Sequence, residues 1–275
     1  MGQEALSLAV DLLFMVVAVI VVLAAVRRRP VSRDSRPGAA ATIVELALTA
    51  LALVAAAIGP NILVVATTPG MPGMPLLFTY TLLPSLGLLA VVAIVARRSG
   101  MDRLSNRIGV GLWAGAASTG MLDVFRLAGF HLGWMPGNMP RMFGVLILDR
   151  MALGPSFGSD LLGYLYHYWV GACLGLAYAL CAGRFRWWGG LIWGLIVEIG
   201  MMVTPPMVVA MDTGYFGVKF GPGLLGTSLT AHVAFGIALG MLCERYLTHR
   251  GTFPALVRAW WLGRSPTGPA AEQPE

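Results

Sequence analysis

Charge is scarce in this chain. Of its 275 residues only 12% are Asp, Glu, Lys or Arg, against roughly 25% in an ordinary soluble domain. With 57% hydrophobic residues, that composition excludes a water-soluble globular fold. Alternating segments of about 10 residues, the mark of a membrane barrel, are missing too, and a helical bundle is the fold that remains. The three cysteines, Cys173, Cys181 and Cys243, are too few and too deep for a disulfide framework and read as small interior filler. No basic stretch precedes the first apolar run, so no cleavable signal is expected; Arg27, Arg28 and Arg29 follow that run, as in a reverse signal-anchor. A Gly-x-Ser-x-Gly elbow, a Walker loop and a His-Glu-x-x-His helix are all missing, and nothing argues for an enzyme. Ser156, Ser159 and Asp160 lie close in sequence but read as a helix cap.

What the chain does have is apolar blocks. Seven are long enough to cross a bilayer, which takes about 20 helical residues: 5–26, 42–67, 75–97, 107–129, 159–182, 188–211 and 223–245. The expectation is an all-α polytopic bundle of about seven transmembrane helices. Its parts are an N-terminal span with a flexible linker (1–41), helices two and three (42–106), a four-helix core (107–246), and an interfacial segment with a disordered tail (247–275). The formal charge of +6 needs no nucleic-acid partner, because the arginines cluster in alternate loops. Arg27–Arg36, Arg97–Arg107, Arg184–Arg186 and Arg245–Arg264 would all face one side, while the other loops hold only Arg141, Arg150 and Lys219. Positive loops stay cytoplasmic. The chain is therefore expected in a bacterial inner membrane with its N-terminus outside and its C-terminus inside. Lipid is its surrounding, and a membrane partner subunit or a second copy is a conceivable neighbour.

Two of the four histidines sit in one frame. "HYWVGACLG" (167–175) and "HVAFGIALG" (232–240) both read His-x-x-x-Gly-x-x-x-Gly. "LWAGAASTGM" (112–121) also aligns with "IWGLIVEIGM" (192–201), placing Trp113 over Trp193, Gly120 over Gly200 and Met121 over Met201. Spans four to seven thus read as one helical hairpin duplicated in parallel. Small residues every fourth position let helices approach closely in lipid. The i, i+4, i+8 spacing puts each histidine on that same face, so His167 and His232 point inward and are expected within reach of each other.

Other ionisable groups share their neighbourhood. Asp123 and Asp11 fall in the same layer, and Glu198 lies near the midplane as an expected lone carboxylate, with Met201 and Met202 a turn above. Pro205 and Pro206 are expected to free backbone carbonyls beside those methionines. Charged groups inside a membrane are costly and point to function. Asp123, His167, Glu198, His232, Met201 and Met202 therefore form the candidate site, and three readings stay open. The first is an outward-facing polar pocket that binds or passes a small solute, ion or proton. The second is a redox subunit binding haem through His167 and His232, or a transition metal through His167, His232 and Asp123. The third is structural: polar contacts that only lock helices, in a partner subunit. Met135, Met139, Met142 and Met151 crowd an outer loop that reads as an interfacial flap, with copper(I) binding as the alternative.

Residues 107–246 resemble the YagU-like and related small bacterial inner-membrane proteins. The shared features are a four-span core, a helix ending "GMLD" (120–123), a His-bearing second helix, a Pro-containing third helix and "AHVAFGIALG" (231–240) in the last. The resemblance implies location and architecture, and carries over no catalytic residue.

The charge pattern yields a direct test. Single cysteines placed at Ser156 and Ser105, probed on intact cells with an impermeant thiol reagent, should label only at Ser156. Labelling at Ser105 would reverse the orientation.

Overall fold

The computed structural model describes residues 42–262 and, ahead of them, the helical positions 16, 19, 20 and 22–24. Most of the expected first span with Asp11, the linker at 27–40 and the tail at 265–275 lie outside the described residues. Among the described residues there is no strand. The helices are α1 (Ile43–Ala66), α2 (Met74–Arg98), α3 (Asp102–His131), α4 (Met139–Ile147), α5 (Phe157–Ala182), α6 (Trp187–Val203), α7 (Pro222–Tyr246) and α8 (Phe253–Trp261).

Five of these, α1, α2, α3, α5 and α7, are long and apolar enough to cross a membrane. α6 has 17 residues, about 26 Å of helix and a little short of the ~30 Å hydrocarbon core. It ends where Thr204 turns extended ahead of Pro205 and Pro206, and a π-helical turn over Pro206–Ala210 follows. The chemistry of the helix starts is local. Thr42 and Thr252 accept the Glu45 and Ala255 amides, and Ser156 with Ser159 forms a reciprocal capping box. Asp160, read as part of that cap, instead lies 3.7 Å from Arg141. α8 lies in the C-terminal stretch read from the sequence as interfacial.

Packing runs α2–α1–α5–α3–α7–α6 in space, with α4 laid against the first turns of α5. Two crossings bring backbones into contact. A Cβ on Gly115 would overlap the Gly171 carbonyl and the Gly175 Cα; a Cβ on Gly190 would overlap the Gly236 carbonyl and the Gly240 Cα. The same relation thus holds α3 on α5 and α6 on α7. It follows a register different from the Trp113/Trp193 alignment: Gly115 corresponds to Gly190, and eight residues on, Asp123 corresponds to Glu198. In the sequence alignment Asp123 would fall opposite Val203 instead. α3 also packs along α7, whereas α5 and α6 barely touch. On the far side of α6, Ile192, Ile196 and Ile199 are exposed in one stripe, the face such a helix turns to lipid.

At the arginine-rich end the helices are tied by hydrogen bonds. Arg103 grips Glu45 of α1 with two of its nitrogens, at 2.9 and 2.8 Å. Arg107 donates to the Leu180 carbonyl of α5 at 2.9 Å and to Gly251 at 2.6 Å. Arg184 reaches the Glu244 carbonyl at 3.0 Å, and the Glu244 carboxylate accepts the Trp187 amide that starts α6, at 2.9 Å. Cys173 and Cys243 are buried as expected of filler, while Cys181 is exposed. All three are free thiols.

Overpacking a tight crossing costs about 1–3 kcal/mol. Gly115→Ala and Gly190→Ala should each lower the unfolding midpoint of the detergent-solubilised protein. Gly200→Ala, whose Cβ would meet nothing within 4 Å, should leave it unchanged. Equal losses at all three positions would remove the special role of the crossings.

Candidate functional site

Each glycine crossing places a carboxylate opposite a histidine. On α3 and α5, His167 Nε2 lies 3.0 Å from Asp123 Oδ1, and the same oxygen accepts Arg126 Nε at 2.9 Å. Arg126 continues to Asn138 Oδ1 at 3.2 Å, and Asn138 donates to the Tyr164 hydroxyl at 3.3 Å. The Tyr168 hydroxyl is turned toward the same aspartate. On α6 and α7, His232 Nδ1 lies 2.8 Å from Glu198 Oε2, which also accepts the Ser228 hydroxyl at 2.7 Å. The Ser228 carbonyl sits 2.9 Å from that nitrogen as well.

These contacts assign the ring hydrogens. His232 Nδ1 faces two acceptors and so carries a hydrogen, leaving Nε2 uncommitted. His167 Nε2 faces a carboxylate oxygen already held by an arginine and carries a hydrogen too, leaving Nδ1. The pairs are thus alike in plan and opposite in the nitrogen they leave over. Both histidines stand ten residues into their helices, about 15 Å from the helix start.

Both rings line one cavity of about 350 Å³. It occupies the gap between α5 and α6, and its walls are mostly apolar. Pro60 and Val64 of α1 close one side, Met139 and Phe143 of α4 another, and Ala231 and Phe235 of α7 the back. Beside Leu174, a residue of the wall, the Trp193 indole crosses from α6 to donate to the Leu174 carbonyl at 3.1 Å. Arg126 reaches the wall as well; it is 5% exposed, and its Nη2 has no hydrogen-bond partner. Glu198 Oε1, behind His232, is likewise unpartnered.

No family model, curated protein or solved structure matches this chain. The site must be read from its own geometry.

Of the residues expected from sequence, His167, His232 and Met201 line the cavity. Asp123 and Glu198 stand behind the histidines, and Met202 is fully buried. The histidines are not each other's partners: each bonds its own carboxylate, and no hydrogen bond joins the two rings. Glu198 is not a lone carboxylate, since His232 and Ser228 both meet it. The Met201 carbonyl is not left free either, because Thr204 returns its amide and hydroxyl to it at 3.4 and 3.1 Å. Among the described residues no group of three or more His, Cys, Asp or Glu side chains converges to hold a metal. Of the outer-loop methionines, Met135 and Met139 line the cavity and Met151 is 66% exposed.

Arg126, Ser228, Asn138 and Tyr164 were not singled out by the sequence. Two of them carried a signal. Asp-x-x-Arg at 123–126 and Ser-x-x-x-His at 228–232 are the i, i+3 and i, i+4 spacings of helix neighbours.

Breaking a buried ion pair from one side costs about 3–5 kcal/mol, because it strands the other charge. Asp123→Ala should therefore destabilise strongly, and Asp123→Leu with Arg126→Met should recover much of the loss. Thermal unfolding of both variants tests this; a double variant less stable than the single one would show that the pair does not act as a unit.

Proposed function

We propose that this is a seven-span bacterial inner-membrane protein, N-terminus outside and C-terminus cytoplasmic, that binds or passes a small, largely apolar solute through its four-helix core. One observation carries the reading: one apolar cavity is lined by two histidines, each ten residues into its helix and each backed by its own carboxylate. Mostly apolar walls do not solvate a bare ion. A few convergent polar groups in an apolar cavity are instead the pattern of a small-molecule site. The occupant is less polar than the outward-facing polar pocket expected from sequence would take.

In the same reading the core is a duplicated hairpin, α3–α5 and α6–α7, in the register of the glycine crossings. Asp123 then answers to Glu198, and His167 to His232. A fully symmetric pair of hairpins would close both seams between them. Here α3 closes on α7 while the α5–α6 seam stays open, and that open seam holds the cavity. The resemblance of residues 107–246 to YagU-like proteins belongs to this reading, as architecture only.

A small apolar fluorophore tests it. 1-Aminonaphthalene should brighten on binding the purified protein, and Gly200→Trp should abolish the gain while the unfolding midpoint is kept. Gly200 lies on the cavity wall with open space where a side chain would go. No gain in the wild type, or an undiminished gain in Gly200→Trp, would sink the reading.

A further inference from the structure

We infer that the ligand of this cavity belongs to the quinone and hydroquinone class: a flat, neutral ring with one oxygen at each of two ends. The inference rests on the cavity reading above and narrows its occupant.

Three features of the wall point there. The first is the pair of histidines that line one cavity from different helices, each with a ring nitrogen left over by its carboxylate, His167 Nδ1 and His232 Nε2. Each is an acceptor when its ring is neutral and a donor when it is protonated. A hydroquinone offers hydroxyl donors and a quinone carbonyl acceptors, and such a pair of histidines can meet either form. The second is Arg126. Its side chain reaches the same wall, and a guanidinium offers only donors. Arg126 already has Asp123 as its counter-charge, so a neutral oxygen suits it better than a second anion.

The third feature is the apolar surface between these groups. Met135, Met139, Met201 and Met207 line it with Phe143 and Phe235. Thioethers and aromatic edges pack well on a π-system and adapt to its outline. One edge of the wall is Asn61 of α1, which is exposed, with Val197 of α6 and Thr204 just past its end, both half-buried. Next to it, Ile196, Ile199 and Val203 are exposed, which is the surface expected to face acyl chains. A ligand dissolved in the bilayer would enter from that side, as a ring compound of low polarity does.

The test compares rings that differ only in their oxygens. Detergent-solubilised full-length protein is titrated by calorimetry with durohydroquinone, with duroquinone, and with durene, which has the same four methyl groups and no oxygen. Wild type should bind one or both oxygenated rings at least about tenfold more tightly than durene, because buried polar groups penalise a ligand that leaves them unmet. His167→Gln and His232→Asn each retain an amide N–H for the carboxylate while removing the nitrogen left for the ligand. Each should lose most of that preference with durene binding unchanged. Gly200→Leu should abolish all binding. Durene binding as tightly as the oxygenated rings would overturn the class and leave the cavity reading standing. A preference that survives both histidine variants would overturn it too. Failure of all three probes to bind, or equal binding to Gly200→Leu, would overturn the cavity reading itself.

Discussion

Backbone-to-backbone contact at two glycine crossings is the constraint from which the rest of the core follows. In lipid there is little hydrophobic force between helices, so packing must come from close van der Waals approach. Gly115 against Gly171 and Gly175, and Gly190 against Gly236 and Gly240, supply that approach with no side chain between. Once a crossing is fixed, so is what lies above it. Two turns beyond Gly115 stands Asp123, and one turn outward from Gly171 stands His167; the same offsets give Glu198 and His232. The polar pairs are therefore held in register by residues that carry no polar side chain at all.

The second seam explains why a core built this tightly contains a void. α3 and α7 close on each other, while α6 is cut short at Val203 by the approach of two prolines and continues as a wider π turn. α1 packs on α5 from outside, and its own interior proline, Pro60, reaches the cavity wall. Beside that proline Asn61 donates to the Ala57 carbonyl and the Tyr166 hydroxyl to the Gly59 carbonyl, at 2.7 and 2.8 Å.

How much of this could be read from the chain depends on the range of the interaction. The apolar blocks from residue 42 onward each fall on a helix, the Ser156 cap forms as expected, and the His-Gly-Gly frames mark inward faces, because all of these are set by spacing within one helix. Partners across helices were harder. The histidines were expected within reach of each other; both line one cavity, but the hydrogen bond each makes is to a carboxylate, which the helix crossing decides. Arg126 was not singled out, although Asp123 lies only three residues away. The Trp113/Trp193 alignment follows residue identity, whereas the two glycine crossings match in another register, seen only in which glycine lies under which carbonyl. The composition of the cavity wall, drawn from α1 and from α3 to α7 together, has no trace in any one stretch.

The hydrogen-bonded knot at the arginine-rich end gives the bundle a fulcrum. Arg107 clamps α3 to α5 and to the chain ahead of α8, and Glu244 clamps α7 to the start of α6. Helices fastened at one end can separate only as tongs do. A slight change of tilt at the clamp is a larger displacement at the far tips, where short α4 and the π turn sit. Any opening of the α5–α6 seam would thus be largest at the unclamped rim, with the seal at the other end left in place.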